Sequence, residues 1–155
     1  MAYMSNLMGK SVADVDGERV GRLEDLIAAV RVDMPHPTVM AMLIKGRRGA
    51  VTIPVSAAAT LVAPAISLTK RLEEIPPYAP GEHDLYLARD VLDKQIIDTD
   101  GVRVVRVNDL ELTRVDHHYY VANVDIGGLG LLRRLGLAKL AEVLAGRLWR
   151  GMGIG

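Results

Sequence analysis

Short apolar runs separated by turn residues recur along the chain and predict strands through most of its length. Residues 7–26, LMGKSVADVDGERVGRLEDL, place Val- and Leu-containing runs on either side of an Asp-Gly pair. The arrangement returns 84 positions later as residues 91–110, VLDKQIIDTDGVRVVRVNDL. Glycine after aspartate supplies the positive φ that a tight strand reversal needs, so each copy predicts a β-hairpin. Nine positions are identical between the copies: Lys10/Lys94, Asp14/Asp98, Asp16/Asp100, Gly17/Gly101, Arg19/Arg103, Val20/Val104, Arg22/Arg106, Asp25/Asp109 and Leu26/Leu110. A two-residue turn centred on Asp16-Gly17 puts Asp14 opposite Arg19, and Asp98 opposite Arg103. Such facing charges are worth on the order of 0.2–1 kcal/mol. The spacing exceeds that of stacked solenoid units and predicts two related small units in tandem.

Beyond the first hairpin the pattern predicts a strand at Thr38–Lys45, a turn at Gly46-Arg47-Arg48-Gly49 and a strand at Ala50–Val55. A short helical turn over Ser56–Val62 and a strand at Ala65–Leu68 follow. Residues 8–70 thus read as β-β-β-β-turn-β, a density of short strands that suggests a small closed or nearly closed barrel. Ala50–Thr69 carries no charge, yet Pro54, Pro64 and its Ala, Ser and Thr content do not suit a membrane-spanning helix. Glu73–Asp84, EEIPPYAPGEHD, is a connector rich in proline and acid, which places a boundary near residue 80.

The second unit runs through Leu87–Val107 and adds strands near Leu110–Val115 and Tyr119–Asp125, turning at Asp116-His117-His118. After IGGLGLL the period becomes helical. Over Leu131–Trp149, Leu132, Leu135, Leu140, Val143, Leu144 and Leu148 line one side, with Arg133, Arg134, Lys139 and Arg147 elsewhere. The expected organisation is a first barrel-like unit with linker at 1–80, a second at 81–130, and an amphipathic helix and tail at 131–155.

Composition narrows the functional classes. Nineteen basic and nineteen acidic residues cancel, so no overall field draws the chain toward nucleic acid or an anionic membrane. The chain has no cysteine, which excludes disulfides and thiolate chemistry and fits a cytoplasmic protein. The opening MAYMSNLMGKS has no signal-peptide pattern.

The run LMGKSVADVDGERVGRLEDL, followed by a strand, a Gly-Arg turn and VTIPVSAA, resembles the PRC-barrel domain found in the photosynthetic reaction centre H subunit and the ribosome maturation factor RimM. The second copy, LARDVLDKQIIDTDGVRVVRVNDLEL with VDIGGLGLLRRLGL, resembles bacterial proteins that carry PRC-barrel segments ahead of an MgtE-type N-terminal domain and CBS domains. Together the resemblances cover about residues 5–137. They imply a mainly β fold of two small PRC-barrel-like barrels in tandem with a C-terminal α-helix, and a regulatory role related to magnesium transport. The chain has no transmembrane helices with which to transport by itself.

The Asp-Gly turns are the first candidates for chemistry. An EF-hand loop with Gly17 at its sixth position would need oxygen ligands at Val12 and Leu23, and with Gly101 there, at Ile96 and Val107, so the pattern fails in both copies. A weak magnesium site at Asp14/Asp16 or Asp98/Asp100 needs fewer ligands and stays as an alternative. His117 and His118 are adjacent, and on a strand they face opposite ways; a turn position accounts for them. His36 lies in a proline-flanked loop and His83 in the acidic connector. No Ser–His–acid spacing, phosphate-binding glycine loop or HExxH sequence is present, so a non-enzymatic role without cofactor is expected. Arg47-Arg48 and the Arg133/Arg134/Lys139/Arg147/Arg150 cluster are basic, but there is no Phe and one Trp, a poor footprint for base stacking.

The expected function is therefore an adaptor or regulatory module acting through protein contacts. Its partners would be a second copy or downstream domains of the same native protein. Arg133, Arg134, Leu140, Leu144, Leu148 and Trp149 are the expected contact residues. An ion sensor is the alternative, and an RNA-processing adaptor of the RimM kind ranks below it.

Overall fold

The computed structural model describes residues 2–30, 36–61, 64–98, 103–127 and 133–134. A two-residue strand β1 (Ala2–Tyr3) enters a single helical turn α1 (Met4–Leu7), followed by the first hairpin, β2 (Ser11–Ala13) and β3 (Arg19–Ala29). β4 (Thr38–Gly46) and β5 (Gly49–Pro54) form a second hairpin around Arg47-Arg48, as the glycine-flanked turn predicts. A 3-10 turn at Val55–Ala57, shorter than the expected helical turn, leads into β6 (Ala58–Thr60) and β7 (Ile66–Leu68). After a 3-10 turn at Leu72–Glu74 the connector reaches β8 (Asp84–Tyr86), which enters one π-helical turn, Leu87–Val91. β9 (Gln95–Asp98), β10 (Arg103–Val115), β11 (His118–Gly127) and β12 (Arg133–Arg134) complete the described chain.

The protein is mainly β, with its sheet curled into a half-barrel. The sheet runs β1-β10-β11-β4-β3-β2-β7-β6, with β5 beside β4, β8 beside β3, β9 beside β10 and β12 beside β11. β4 buries Val39, Ala41, Met42 and Ile44, and β10 and β11 bury Val107, Leu110, Leu112, Val121, Val124 and Ile126.

The internal copy extends further in space than in sequence. In the strand pairings β10 stands in the place of β3 with the 84-residue offset, and β11 in the place of β4 with an offset of 82. Leu23 pairs with Ile44 as Val107 pairs with Ile126, and Ala28 with Val39 as Leu112 with Val121. Both hairpins also carry the same two register shifts, after Leu23 and Val107 and again after Ile27 and Glu111. β12 likewise occupies the place of β5: Arg133 and Arg134 pair with Ile126 and Asp125, as Val51 and Thr52 pair with Ile44 and Leu43. Arg133 and Arg134 are thus strand residues, which corrects the expectation that the C-terminal helix begins at Leu131. A strand can continue a hairpin ladder there, and the ladder hydrogen bonds outweigh the weak local helical period. The other residues of the expected helix, Leu140, Leu144, Leu148 and Trp149 included, lie outside the described residues. β4 meets β11 at Thr38↔Tyr120, two positions that correspond under the 82-residue offset. Equivalent residues facing one another mark a local two-fold axis, as in an isologous dimer.

The two halves exchange their leading segments across this axis. β1 pairs with β10 of the second half, and β8 pairs with β3 of the first. The turns that follow differ by one residue, MSNL in the first copy against LARDV in the second. That insertion changes the closing bond from Met8 N–H→Met4 O to Leu92 N–H→Leu87 O, an α turn becoming a π turn. The chain then re-enters register at Gly9 and Asp93, whose N–H groups donate to Leu23 O and Val107 O at 2.8 Å each. Gly9 has φ +82°, and Asp93 takes φ +61° at the equivalent point. The left-handed region disfavours a residue with a Cβ, so Asp93→Gly should raise stability by about 0.5 kcal/mol in chemical denaturation. A loss instead would mean that the Asp93 side chain contributes more than its backbone costs.

Candidate functional site

The first Asp-Gly turn closes differently from the two-residue turn expected of it. Gly17 N–H donates to Asp14 O at 3.0 Å and Asp14 N–H to Glu18 O at 2.8 Å, while Gly17 takes φ +83°. This is a three-residue loop, a β-turn followed by a left-handed glycine. The ladder consequently sets Arg19 opposite Ala13, so the predicted Asp14–Arg19 pair does not form. Asp14 Oδ1 instead accepts the N–H groups of Asp16 (2.9 Å) and Glu18 (3.0 Å), capping its own turn. Asp16 Oδ2 lies 2.6 Å from Arg71 Nε, an ion pair joining the turn to the start of the connector. In the second copy Asp98 does face Arg103 in the backbone register. The Asp98 side chain and Asp100 lie outside the described residues.

Around this turn opens a cleft of about 840 Å³. Its walls are the Asp-Gly turn, the tip of the β4–β5 hairpin and the segment at Arg71–Glu73. Arg19, Arg47, Arg48 and Arg71 border it, as do Asp14, Asp16, Glu18 and Glu73. The charges balance formally but are not equally available. Asp14 is occupied by backbone amides and Asp16 by Arg71, whereas Arg19, Arg47 and Arg48 are exposed and meet no carboxylate among the described residues. The hairpin can press close to β3 because both crossing residues are glycines. A Cβ at Gly21 would lie 2.5 Å from Lys45 O, and one at Gly46 would lie 2.5 Å from Val20 O.

A second pair of repeated aspartates has a structural role that the sequence pattern did not single out. Asp25, 3% exposed on β3, accepts the N–H groups of Ala88 (2.6 Å), Arg89 (3.0 Å) and Leu26 (2.8 Å). It thereby caps the π turn donated by the other half. Asp109 does the same in reverse, accepting Ser5 N–H (3.1 Å), the Ser5 hydroxyl and Leu110 N–H (2.8 Å) at the start of α1. Burial pushes the Asp25 carboxyl up from its ordinary range, and the three amide donors pull it part of the way back. The identity of Asp25-Leu26 with Asp109-Leu110 was the available signal, but its partners lie about 60 and 104 residues away in sequence.

The histidines are dispersed. His117 sits in the β10–β11 turn at φ +69° with its Nδ1 2.9 Å from Arg114, and His118 begins β11. His36 stands edge-on to Tyr120, ring centroids 6.0 Å apart, with its Nδ1 buried and without a hydrogen-bond partner. The His83 carbonyl accepts Val30 N–H at 2.7 Å. Among the described residues no group of three or more His, Asp or Glu side chains is placed to hold a metal ion. No helix among them is long and apolar enough to cross a membrane. No protein-family model matches the sequence, and no curated protein matches it.

Proposed function

We propose that the chain is a tandem PRC-barrel module that serves as a non-enzymatic adaptor or regulatory element in the cytoplasm, related to magnesium-transport regulators. The mainly β half-barrel and the duplicated hairpins support the family reading. One observation carries the functional reading. The repeated carboxylates Asp14, Asp16, Asp25 and Asp109, which would be the ligands or acids of a reactive site, are engaged by the protein's own amides and by Arg71, while three arginines around the cleft meet no carboxylate among the described residues. A surface built this way is suited to contact rather than to chemistry. It also disfavours the ion sensor at Asp14 and Asp16, because magnesium there would compete with the Arg71 guanidinium for the Asp16 charge and with two amides for Asp14.

Two measurements on the full chain test this. Calorimetric titration with magnesium should give no saturable heat at micromolar metal, and tight binding lost in Asp14→Asn would establish the sensor instead. Light scattering, together with affinity capture and reconstitution from purified components, should yield a stoichiometric complex with a second copy or another protein. A chain that stays monomeric and reconstitutes with nothing would overturn the adaptor reading.

A further inference from the structure

We propose that the cleft beside the first Asp-Gly turn is a docking groove for an extended acidic segment of a partner protein, which adds as a strand to the open edge of β5. The proposal rests on the adaptor reading and specifies the chemistry of the partner.

The edge supplies the backbone half of the site. Among the described residues β5 pairs with β4 alone. Its far side already receives one strand-like bond, Tyr78 N–H→Thr52 O at 2.8 Å, so the polar groups of Thr52 point away from β4. Backbone direction alternates along a strand, which aims the N–H and C=O of Ala50 outward as well. Gly49 and Ala50 are exposed, and they lie between the connector at Tyr78 and the Arg47-Arg48 turn. A short edge left open in this way pairs with an incoming peptide by main-chain hydrogen bonds.

The arginines supply the selectivity. Arg19, Arg47 and Arg48 flank the same opening without carboxylate partners among the described residues, and guanidinium groups bind carboxylates through paired donors. Glu18 and Glu73 also border the cleft. A polymer with a charge on every unit meets them unfavourably, whereas a strand with acids on alternate residues can set them toward the arginines alone. No aromatic side chain lines the cleft to stack a base. Both facts favour an acidic peptide over nucleic acid.

The test uses the full chain and a fluorescent peptide of about ten residues that alternates Glu and Thr, matching the period of a strand. Binding should saturate by polarisation, and a Lys/Thr peptide should not bind. Arg47→Ala combined with Arg48→Ala should weaken binding by about tenfold or more while the melting temperature holds. Ala50→Pro removes one outward N–H without changing charge and should weaken binding comparably. If that variant does not fold, the arginine pair decides alone. Absent binding, undiminished binding in either folded variant, or tighter binding of a single-stranded RNA oligonucleotide would overturn the proposal. A reconstituted partner that binds the wild type and the arginine variant equally would remove the cleft from the mechanism yet leave the adaptor reading standing.

Discussion

Asp25→Ala will destabilise the chain by about 2–3 kcal/mol, because the carboxyl is buried (3% exposed) and its loss leaves the part-buried N–H groups of Ala88 and Arg89 without an acceptor at roughly 1–1.5 kcal/mol each. The buried carboxylate is itself costly, and its raised pKa reflects that. Two stranded amides at the junction of the halves nevertheless outweigh the relief of removing it. Asp109→Ala should cost less, about 1–2 kcal/mol, since Ser5 is exposed and water can replace the lost acceptor. Urea unfolding of the two variants checks the order, and an equal or reversed ranking would refute the account. A pH dependence accompanies it. With its folded pKa above the ordinary 3.8, Asp25 gives the folded state the greater share of bound protons in the interval between the two values. Its contribution is therefore fully present below 3.8 and is lost as pH rises through the folded pKa. That part of the slope should vanish in Asp25→Asn.

Gly21→Ala is expected to cost about 2–3 kcal/mol, as overpacking does when the obstacle cannot rotate away. The new methyl would stand 2.5 Å from Lys45 O and 2.9 Å from Lys45 C, both backbone atoms of a paired strand. Gly46→Ala should behave alike against Val20 O. Since both substitutions push apart the same crossing of β3 and β4, the double variant should lose less than the sum of the singles. Gly17→Ala is the control: nothing lies within 4 Å of its added Cβ, and the cost is that of φ +83° alone, about 1 kcal/mol. Thermal and urea unfolding of the series would reveal the difference. A Gly21→Ala protein within about 0.5 kcal/mol of the wild type would show that the crossing relaxes freely.

Much of the fold was legible in the sequence because it is local. Gly46-Arg47-Arg48-Gly49 announced its hairpin, and Asp116-His117 turns with both residues at positive φ (49° and 69°), as a tight strand reversal requires. The Asp-Gly turn was legible as a turn but not in its length, since Asp-Gly serves both two- and three-residue loops; the choice moves the pairing beside the turn to Ala13↔Arg19, and a register shift between Val12 and Ala13 then restores Val12↔Gly21 and Ser11↔Arg22. The likeness of β11 to β4 was hidden, because it survives as a pattern of burial and bulges rather than as shared residues. Least legible were β1 and β8, at two and three residues too short to carry a period, whose partners lie far along the chain. For the site, the sequence pointed to Asp14 and Asp16, but only the spatial arrangement shows those carboxylates occupied and the neighbouring arginines open.

The crossed leading segments bear on how the chain is made. As synthesis proceeds from the N-terminus, α1 emerges with Met4 and Leu7 exposed and waits for Glu111 and Leu112 before β1 can pair. β3 likewise keeps an open edge at Ile27–Ala29 until Asp84–Tyr86 has been added. Neither half can close on its own residues, so the last stable step is a mutual one, with few local contacts to hurry it. Until then each half offers the edge that its mate is meant to fill. Two nascent chains close together on one messenger could answer each other's edges first, so crowding of ribosomes, more than the finished protein's stability, would set the yield of correctly paired molecules.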